Sequence, residues 1–322
     1  MREFIINKND AGQRLDKFLT KAVKTLPHGL LYKGIRLKRI KVNNKRCQPN
    51  QILVPGDRIS LYLNDEFFTE DTNLPFLAAS SHISVVYEDE NILLVNKPCG
   101  LVVHEDDDNT TDTLIHRVQH YLYKKGEYQP ELEASFAPAL CNRIDRNTCG
   151  IVIVAKNAAA LRILNEKIKH RELTKKYLCL VRGQMPKKHE VLTAYLKKDS
   201  SQNKVELSDS MAAGYRKIIT EYTVLEKRGG FSLLEVNLLT GRTHQIRAHL
   251  AHIGHPLLGD GKYGVNREDK KLGYKYQALC SYKLTFSFSS GADVLEYLNG
   301  KTFTVDDIWF RNDFENGRLD AN

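Results

Sequence analysis

The sequence lacks the features that would support a metal centre, a thiol redox motif or a membrane span. Its six cysteines are scattered, and none shows the Cys-x-x-Cys spacing of zinc or redox sites. No apolar run approaches the roughly 20 residues that cross a bilayer. The N-terminal residues lack the apolar core of a signal peptide, and no repeat or low-complexity tract is present. We therefore expect a metal-free globular protein of the reducing cytoplasm.

What the sequence does have is a basic charge concentrated at one end. Residues 1–65 contain 14 Lys and Arg against 5 Asp and Glu, which gives this segment a net charge of +9. Because the whole chain also carries +9, the remaining residues are neutral. A basic module beside a neutral body indicates an anionic polymer as the partner. A merely solvated basic surface is the alternative.

The basic segment predicts a small module of two helices and short strands. Apolar residues at helical spacing predict an amphipathic helix over residues 10–25, followed by a second helical segment. Alternation predicts strands around the turn candidate Asn43-Asn44 and over residues 58–63. Its side chains proposed to contact phosphate groups are Arg14, Lys17, Arg36, Lys38, Lys41 and Arg46.

The rest of the chain predicts a linker and then one larger domain. Composition shifts from basic to acidic and small over residues 66–82, which indicates a linker. Residues 83–322 mix helical and strand periodicities. Helices are predicted at residues 112–123 and 158–170, and strand-like runs at residues 83–97, 151–155, 172–183 and 231–239.

One carboxylate in this domain, Asp145, is a candidate nucleophile. It lies between Arg143 and Arg146, just before the turn at Gly150 and the apolar run 151–155. We expect the two cations to neutralise it from both sides and to keep it ionised, which suits nucleophilic attack better than proton donation. A loop salt bridge without catalytic function is the alternative.

A second candidate region is a strand–turn–helix unit after residue 239. Gly241 permits a sharp turn, and Thr243 is a good N-cap for a helix that continues through Leu250. The helix N-terminus, with Arg242 nearby, suits a phosphate group. His244 could be a base or a metal ligand, but no Cys or Asp stands at ligand spacing, so we expect no metal here.

Three segments resemble the RluA-type pseudouridine synthases in the expected order. They are Asn142–Gly150, Glu172–Gly183 and Thr240–Gly264, and the hairpin that contains Asn96-Lys97-Pro98 is also similar. The departures from the family pattern are Asn142 in place of His, Cys149 in place of Ser, Cys179 in place of Ala and Cys280 in place of His. Residues 14–19, 40–43 and 55–59 resemble the S4 RNA-binding domain.

The resemblance implies a fold and an activity. The fold is α+β, with a mixed, mainly antiparallel sheet in residues 83–322 and a small S4-like α/β domain in residues 1–65. The activity is the isomerisation of specific uridines to pseudouridine in structured RNA, above all large-subunit (23S) ribosomal RNA, with the base flipped out of its stack. The reaction requires no metal, nucleotide or redox cofactor, and we expect a cytoplasmic monomer.

The resemblance also implies a role for each matching residue. Asp145 is the nucleophile, Arg247 pairs with it, and Tyr177 stacks on the uracil and takes the C5 proton. Arg143 fills the space left by the flipped nucleotide. The remaining substrate-binding candidates are Arg146, Arg242, Thr243, His244 and Gln245. Lys97 and His104 are expected to be structural rather than to touch substrate.

Three other functions stay open at this stage. A catalytically decayed synthase kept as an RNA-binding protein or chaperone is favoured only by Asn142 and Cys280. A hydrolase that acts on nucleosides would require a second catalytic carboxylate beside Asp145, and the sequence offers no obvious partner. A synthase that acts on tRNA is the third alternative, and by analogy with the family the S4-like segment favours large-subunit rRNA over a small RNA stem.

Overall fold

The computed structural model describes residues 1–68, 74–105, 110–199 and 204–319. The N-terminal module is an antiparallel sheet in the order β1-β4-β2-β3, packed on two helices. Its elements are β1 (Arg2–Ile5), α1 (Leu15–Ala22), α2 (His28–Arg36), β2 (Ile40–Val42), β3 (Lys45–Arg46) and β4 (Arg58–Leu61). Both predicted helices and the later strands are confirmed, whereas β1 was not predicted. Asn43 and Asn44 make the two-residue turn between β2 and β3 with φ of 50° and 61°.

The module is docked on the larger domain through polar contacts. Ser135 Oγ donates to Asp10 Oδ1 at 2.6 Å, and Arg162 Nη1 donates to the Ala11 carbonyl at 3.1 Å. The predicted linker is partly structured where it is described. Phe76, on a 3₁₀ turn at Pro75–Ala78, is buried, with ring centroids 5.6 Å from Tyr123 and 5.8 Å from Tyr128. The second half of the predicted linker therefore belongs to the surface of the larger domain.

The larger domain is built on one mixed sheet. Within the described ranges it has eleven strands, with the main path β11-β10-β12-β13-β9-β14-β8-β6-β5 and with β7 and β15 paired to β8 and β14. The β8–β14 pair is parallel and the other pairs are antiparallel, which confirms the mixed, mainly antiparallel sheet that the family resemblance implied. The bounds are β5 (Val85–Glu88), β6 (Ile92–Lys97), β7 (Ala139–Leu140), β8 (Cys149–Ala155), β9 (Leu173–Arg182), β10 (His189–Asp199), β11 (Lys204–Ser208), β12 (Arg216–Arg228), β13 (Phe231–Leu238), β14 (Leu279–Phe286) and β15 (Thr302–Thr304).

Helices cover both faces of this sheet. They are α3 (Leu114–Lys124), α4 (Ala158–Lys169), α5 (Gln245–His252), α6 (Asn266–Lys271) and α7 (Trp309–Glu315), and the predicted helices at residues 112–123 and 158–170 are α3 and α4. Residues of α3 and α5 share one hydrophobic cluster with alternate strand residues, and residues of α4 and α7 share the cluster on the opposite face. All seven residues of β8 are buried because the strand has neighbours on every side. No helix in the described part of the chain is long and apolar enough to cross a membrane.

Candidate active site

Asp145 lies on the loop between β7 and β8, and the side chain of Lys97 holds this loop in place. Lys97 is fully buried, and its Nζ donates to the carbonyls of Pro98, Leu101 and Arg146, each at 2.8 Å. Burial lowers the pKa of Lys97 to about 8. Three carbonyl acceptors thus use all three ammonium protons, so Lys97 has the structural position that the sequence favoured.

The cation closest to Asp145 comes from a distant part of the chain. Arg247 on α5 donates from Nη1 to Asp145 Oδ2 at 3.0 Å, although the two residues are 102 positions apart. The side chain of Arg247 is 7% exposed and that of Asp145 is 27% exposed. The carboxylate therefore faces solvent on one side and a buried guanidinium on the other.

The expectation that Arg143 and Arg146 neutralise Asp145 from both sides is corrected by this geometry. Both arginines are exposed. Arg146 Nε donates to the Gly100 carbonyl at 3.2 Å, and the charge of Arg143 acts on His104, whose pKa is lowered mainly by burial and then by that charge. Closeness in sequence therefore does not decide which cation is paired with Asp145, and the ion pair described above is the one with Arg247.

Tyr177 lies on β9, directly opposite Ser281 of β14. It is 7% exposed and belongs to the cluster on the α3 and α5 face of the sheet. Burial, with a smaller contribution from the nearby negative charge of Asp145, raises the pKa of its phenol to about 12. The phenol is consequently neutral near pH 7.

The turn before α5 differs from the predicted N-cap. The helix begins at Gln245, and His244 rather than Thr243 occupies the N-cap position, with a left-handed φ of 53°. The prediction for Thr243 is wrong because the turn continues one residue further than a Thr cap would allow. His244 instead turns inward, where Nδ1 lies 2.9 Å from Tyr263 Oη and Nε2 lies 3.9 Å from Asp145 Oδ2.

His244 and Gln245 have different environments although they are adjacent. Burial lowers the pKa of His244 to about 4, against the opposing effect of Asp145, so the imidazole is neutral near pH 7. The Gln245 amide lies under the turn: its Oε1 accepts from Thr240 Oγ1 at 2.9 Å, and its Nε2 donates to the Ile219 carbonyl at 3.0 Å. Gln245 supports the turn, while the side chains of Arg242 and Thr243 above it are exposed.

Comparison with known proteins identifies the family to which this site belongs. Residues 91–252 match the model of the family described as RNA pseudouridylate synthase. A Mycoplasma capricolum protein named as an uncharacterised RNA pseudouridine synthase is 34% identical over 96% of this chain and 99% of its own length. This chain belongs to the RNA pseudouridine synthase family.

Two further comparisons concern the type of synthase and the fold. The ribosomal large subunit pseudouridine synthase C of Salmonella typhi is 31% identical over 90% of each chain, which supports the RluA-type assignment. The solved structure titled Human RNA Pseudouridylate Synthase Domain Containing 4 has a TM-score of 0.57 at 21% identity and covers 73% of this chain and 92% of its own. That similarity shows the fold alone.

The residues that depart from the family pattern, Asn142, Cys149, Cys179 and Cys280, are all buried. Asn142 Oδ1 accepts a hydrogen bond from the Ile153 N–H at 2.8 Å, so the amide holds the loop to β8. Cys149 of β8 and Cys280 of β14 are neighbours in the strand register and are both free thiols. They belong to the hydrophobic cluster on the face opposite that of Tyr177. Cys179 is fully buried.

Sequence reasoning assigned no role to two residues of the synthase site. Asp260 accepts from Arg247 Nε at 2.7 Å and from Nη2 at 2.9 Å. Tyr263 Oη accepts from the Val205 N–H at 2.9 Å and contacts His244. Both lie in the segment that resembles the family, and Asp260 could have been noticed as a lone acidic residue in an otherwise apolar stretch after α5.

Proposed function

We propose that this synthase converts specific uridines of large-subunit ribosomal RNA to pseudouridine, with Asp145 as the nucleophile and the target base flipped into the site. One observation carries the proposal: the partly exposed carboxylate of Asp145 is paired with the buried Arg247 and lies near the buried phenol of Tyr177. The relatives named ribosomal large subunit pseudouridine synthase C support the choice of RNA.

The reaction requires one bond to break and one to form within the same nucleotide. The N1–C1′ glycosidic bond is cleaved with assistance from the Asp145 carboxylate, and the uracil turns within the site. C5 then bonds to C1′, the C5 proton leaves, and N1 regains a proton, so the product is an isomer of the substrate. No oxidation or hydrolysis occurs, and we infer that no cofactor is required.

Arg247 is proposed to keep Asp145 ionised and aimed. A guanidinium is charged at every physiological pH. Burial lowers the pKa of Arg247, but the hydrogen bonds and negative charges of Asp260 and Asp145 raise it on balance. The contact to Asp145 is made through a single nitrogen, Nη1. The carboxylate is thus held by one contact while its other oxygen remains available to the substrate.

Tyr177 is proposed to stack on the uracil, to lose its phenolic proton to solvent, and as the phenolate to accept the C5 proton late in the reaction. A phenol can pack an apolar ring against a base and still present a polar tip. Since its pKa is about 12, the phenolate is rare at neutral pH, but once formed it is a strong base. The final proton transfer is therefore expected to be sensitive to pH.

The exposed side chains around the site are proposed to hold the RNA. Arg143 would enter the stack in place of the flipped nucleotide, and Arg146, Arg242 and the Thr243 turn would bind backbone phosphates. His244, neutral and turned toward Asp145, would offer a hydrogen bond to the flipped nucleoside.

The N-terminal module is proposed to be an S4-like RNA-binding domain. Of its candidate residues, Arg14, Lys17, Arg36, Lys38 and Arg46 are exposed. Arg14 is bound to Asp16 by two hydrogen bonds of 3.0 and 2.6 Å, and Lys41 lies 5.3 Å from the ring centre of Tyr62. Because Arg14 is already paired and Lys41 is half-buried, Lys17, Arg36, Lys38 and Arg46 are expected to provide more of the phosphate contacts.

The proposed function also implies a cellular location and an oligomeric state. An enzyme of ribosomal RNA would work in the cytoplasm, where that RNA is assembled into ribosomes. Asp145, Tyr177 and Arg247 all come from one chain, so a monomer suffices for the chemistry.

The test is to map pseudouridines across ribosomal and transfer RNA in a strain that lacks the gene. We expect pseudouridine to be lost at one or more large-subunit positions and to return when the wild-type gene is supplied. A strain that carries the Asp145→Asn gene is the matched control, and its positions should stay unmodified. Loss confined to transfer RNA would contradict the ribosomal assignment but not the activity.

A further inference from the structure

We propose that Asp260 is a positioning residue of the reaction, which acts by fixing the orientation of Arg247. The inference rests on the proposed roles of Asp145 and Arg247. Asp260 does not touch the substrate in this proposal. It sets where the single free nitrogen of the guanidinium points.

Asp260 binds the guanidinium of Arg247 through two hydrogen bonds. Its side chain is fully buried and accepts from both Nε and Nη2 of Arg247, at 2.7 and 2.9 Å. A planar guanidinium held along one edge cannot rotate about its terminal bonds without losing both hydrogen bonds. The remaining nitrogen, Nη1, then points at Asp145 Oδ2.

The carboxylate of Asp260 is itself fixed by the backbone. Its Oδ1 accepts from the N–H of Lys262 at 2.9 Å and from the N–H of Tyr263 at 3.1 Å. The guanidinium of Arg247 lies over the ring of Tyr263, with the Cζ atom of Arg247 5.4 Å from the ring centre. The loop after α5 thus positions Asp260, and Asp260 positions Arg247.

The arrangement has an electrostatic consequence for the nucleophile. An arginine that served Asp145 alone would pair with it through both terminal nitrogens and cancel its charge. Because Asp260 takes Nε and Nη2, the cluster of two carboxylates and one guanidinium keeps a net charge of −1. Asp145, the only member of this cluster with substantial exposure, at 27% against 7% for Arg247 and 0% for Asp260, presents that charge to the substrate.

The chain offers a matched control in Asp269. This residue is also fully buried, binds Arg182 Nε at 2.7 Å, and accepts from the Gly259 N–H at 2.7 Å. Asp269 therefore pairs with an arginine and braces the same loop, but its arginine does not contact Asp145. A purely structural role would make Asp260→Asn and Asp269→Asn behave alike.

The experiment compares these variants on large-subunit ribosomal RNA transcribed without modification and labelled with tritium at uridine C5. Single-turnover release of tritium at saturating RNA gives the rate, and filter binding gives the affinity. We expect Asp260→Asn to lower the rate about 10- to 100-fold and to change RNA affinity less than about threefold. Asp269→Asn should leave the rate within about twofold of wild type, with melting temperatures recorded for both.

A double-mutant cycle identifies the residue through which Asp260 acts. In an Arg247→Lys background the ammonium cannot make the two-point contact, so Asp260→Asn should have less than about a threefold further effect. Asp260→Ser, whose hydroxyl keeps an acceptor for the backbone of the loop, is the second variant if Asp260→Asn does not fold. It should show the same loss of rate with a wild-type circular dichroism spectrum.

Three results would overturn the proposal. They are a wild-type rate in Asp260→Asn or Asp260→Ser, an equal loss in Asp269→Asn, and an undiminished loss in the Arg247→Lys background. A wild-type enzyme that releases no tritium from ribosomal RNA is a different result, because it contradicts the proposed substrate. The cycle would then be run on the RNA that the deletion strain identifies.

Discussion

At the scale of single residues, the site depends on how differently its charged groups are exposed. Asp145 is reached by solvent on one side, whereas Arg247 is buried behind it. Burying a charge is costly unless it is paired, so the buried Arg247 is stable only between its two carboxylates. Removing either partner should therefore affect function more than a surface salt bridge would.

Asp145→Asn should reduce pseudouridine formation at least 1000-fold while RNA affinity changes little. The amide is nearly the same size, but it cannot act as an anionic nucleophile. Tritium release under single-turnover conditions measures the rate, and filter binding measures affinity. A variant that retained even a tenth of the wild-type rate would exclude Asp145 as the nucleophile.

Tyr177→Phe should keep stacking and RNA binding but slow the loss of the C5 proton. If the phenolate is the base, its population grows about tenfold per pH unit below a pKa of about 12. The wild-type rate of tritium release should then rise with pH between about 7 and 9, and the variant should lose this rise. Equal rates and equal pH profiles for the two proteins would show that another group takes the proton.

At the scale of elements, the strand junction at Gly150 decides how the Asp145 loop meets Tyr177. Gly150 has φ of 109°, and a Cβ there would lie 2.3 Å from the Ser281 carbonyl oxygen of β14. Ser281 is in turn opposite Tyr177 on β9. Only glycine lets β8 begin this close to β14. The loop that carries Asp145 therefore leads into the strand on one side of β14, while Tyr177 lies on β9 at the other side.

Gly150→Ala should lower the free energy of unfolding by roughly 2–4 kcal/mol, as the sum of backbone strain and a steric clash. Denaturant titration measures the loss. Gly126→Ala is the control, since Gly126 has φ of 74° and no atom within 4 Å of the added Cβ. It should cost about 1 kcal/mol, and equal losses for the two variants would show that the close approach to β14 is unimportant.

Local patterns predicted most elements but not their ends at the site. The helices α3 and α4 and the strands β8, β9 and β13 follow from side-chain periodicity, which depends only on the local backbone. The start of α5 does not, because His244 adopts a left-handed conformation in a turn that makes tertiary contacts. A Thr next to a turn is a common N-cap, whereas here Gln245 bonds to Ile219 and His244 contacts Tyr263, and both partners are distant in sequence.

At the scale of the whole molecule, we expect the basic module to provide RNA binding and the larger domain to provide the chemistry. The module carries the full net charge of the chain, while Asp145, Tyr177 and Arg247 lie in the other domain. The docking contacts run from the Asn9–Gly12 region to Glu133, Ser135 and Arg162. None of these contact residues belongs to the proposed site, so the module is expected to supply affinity rather than catalysis.

Deleting residues 1–65 should weaken RNA binding and reduce its salt dependence. Each phosphate contact on single-stranded RNA contributes about −0.7 to the slope of log affinity against log salt. The single-turnover rate on a saturating short stem-loop should persist. Binding titrations at several salt concentrations, with circular dichroism to verify the remaining fold, provide the measurement.

A full-length variant with Lys17, Arg36, Lys38 and Arg46 changed to Gln separates loss of charge from loss of the module. This variant should show most of the decrease in salt slope that the deletion causes. An unchanged slope in both proteins would mean that the basic residues face solvent without binding RNA. A lost saturated rate in the folded truncated protein would mean that the module helps to build the site.

Hydrophobic period, turn residues and charge are local properties, so the amino-acid sequence alone predicts the elements and the separate motifs. The resemblance to the family motifs also predicts that Asp145, Tyr177 and Arg247 lie together. Which charges compensate one another depends on the packing of elements that are distant in the chain. Arg143 and Arg146 adjoin Asp145 in sequence, yet Arg247 pairs with it and Asp260 fixes Arg247. Ion pairing depends on distance and desolvation in space, which are established only when α5 and its following loop pack beside β8.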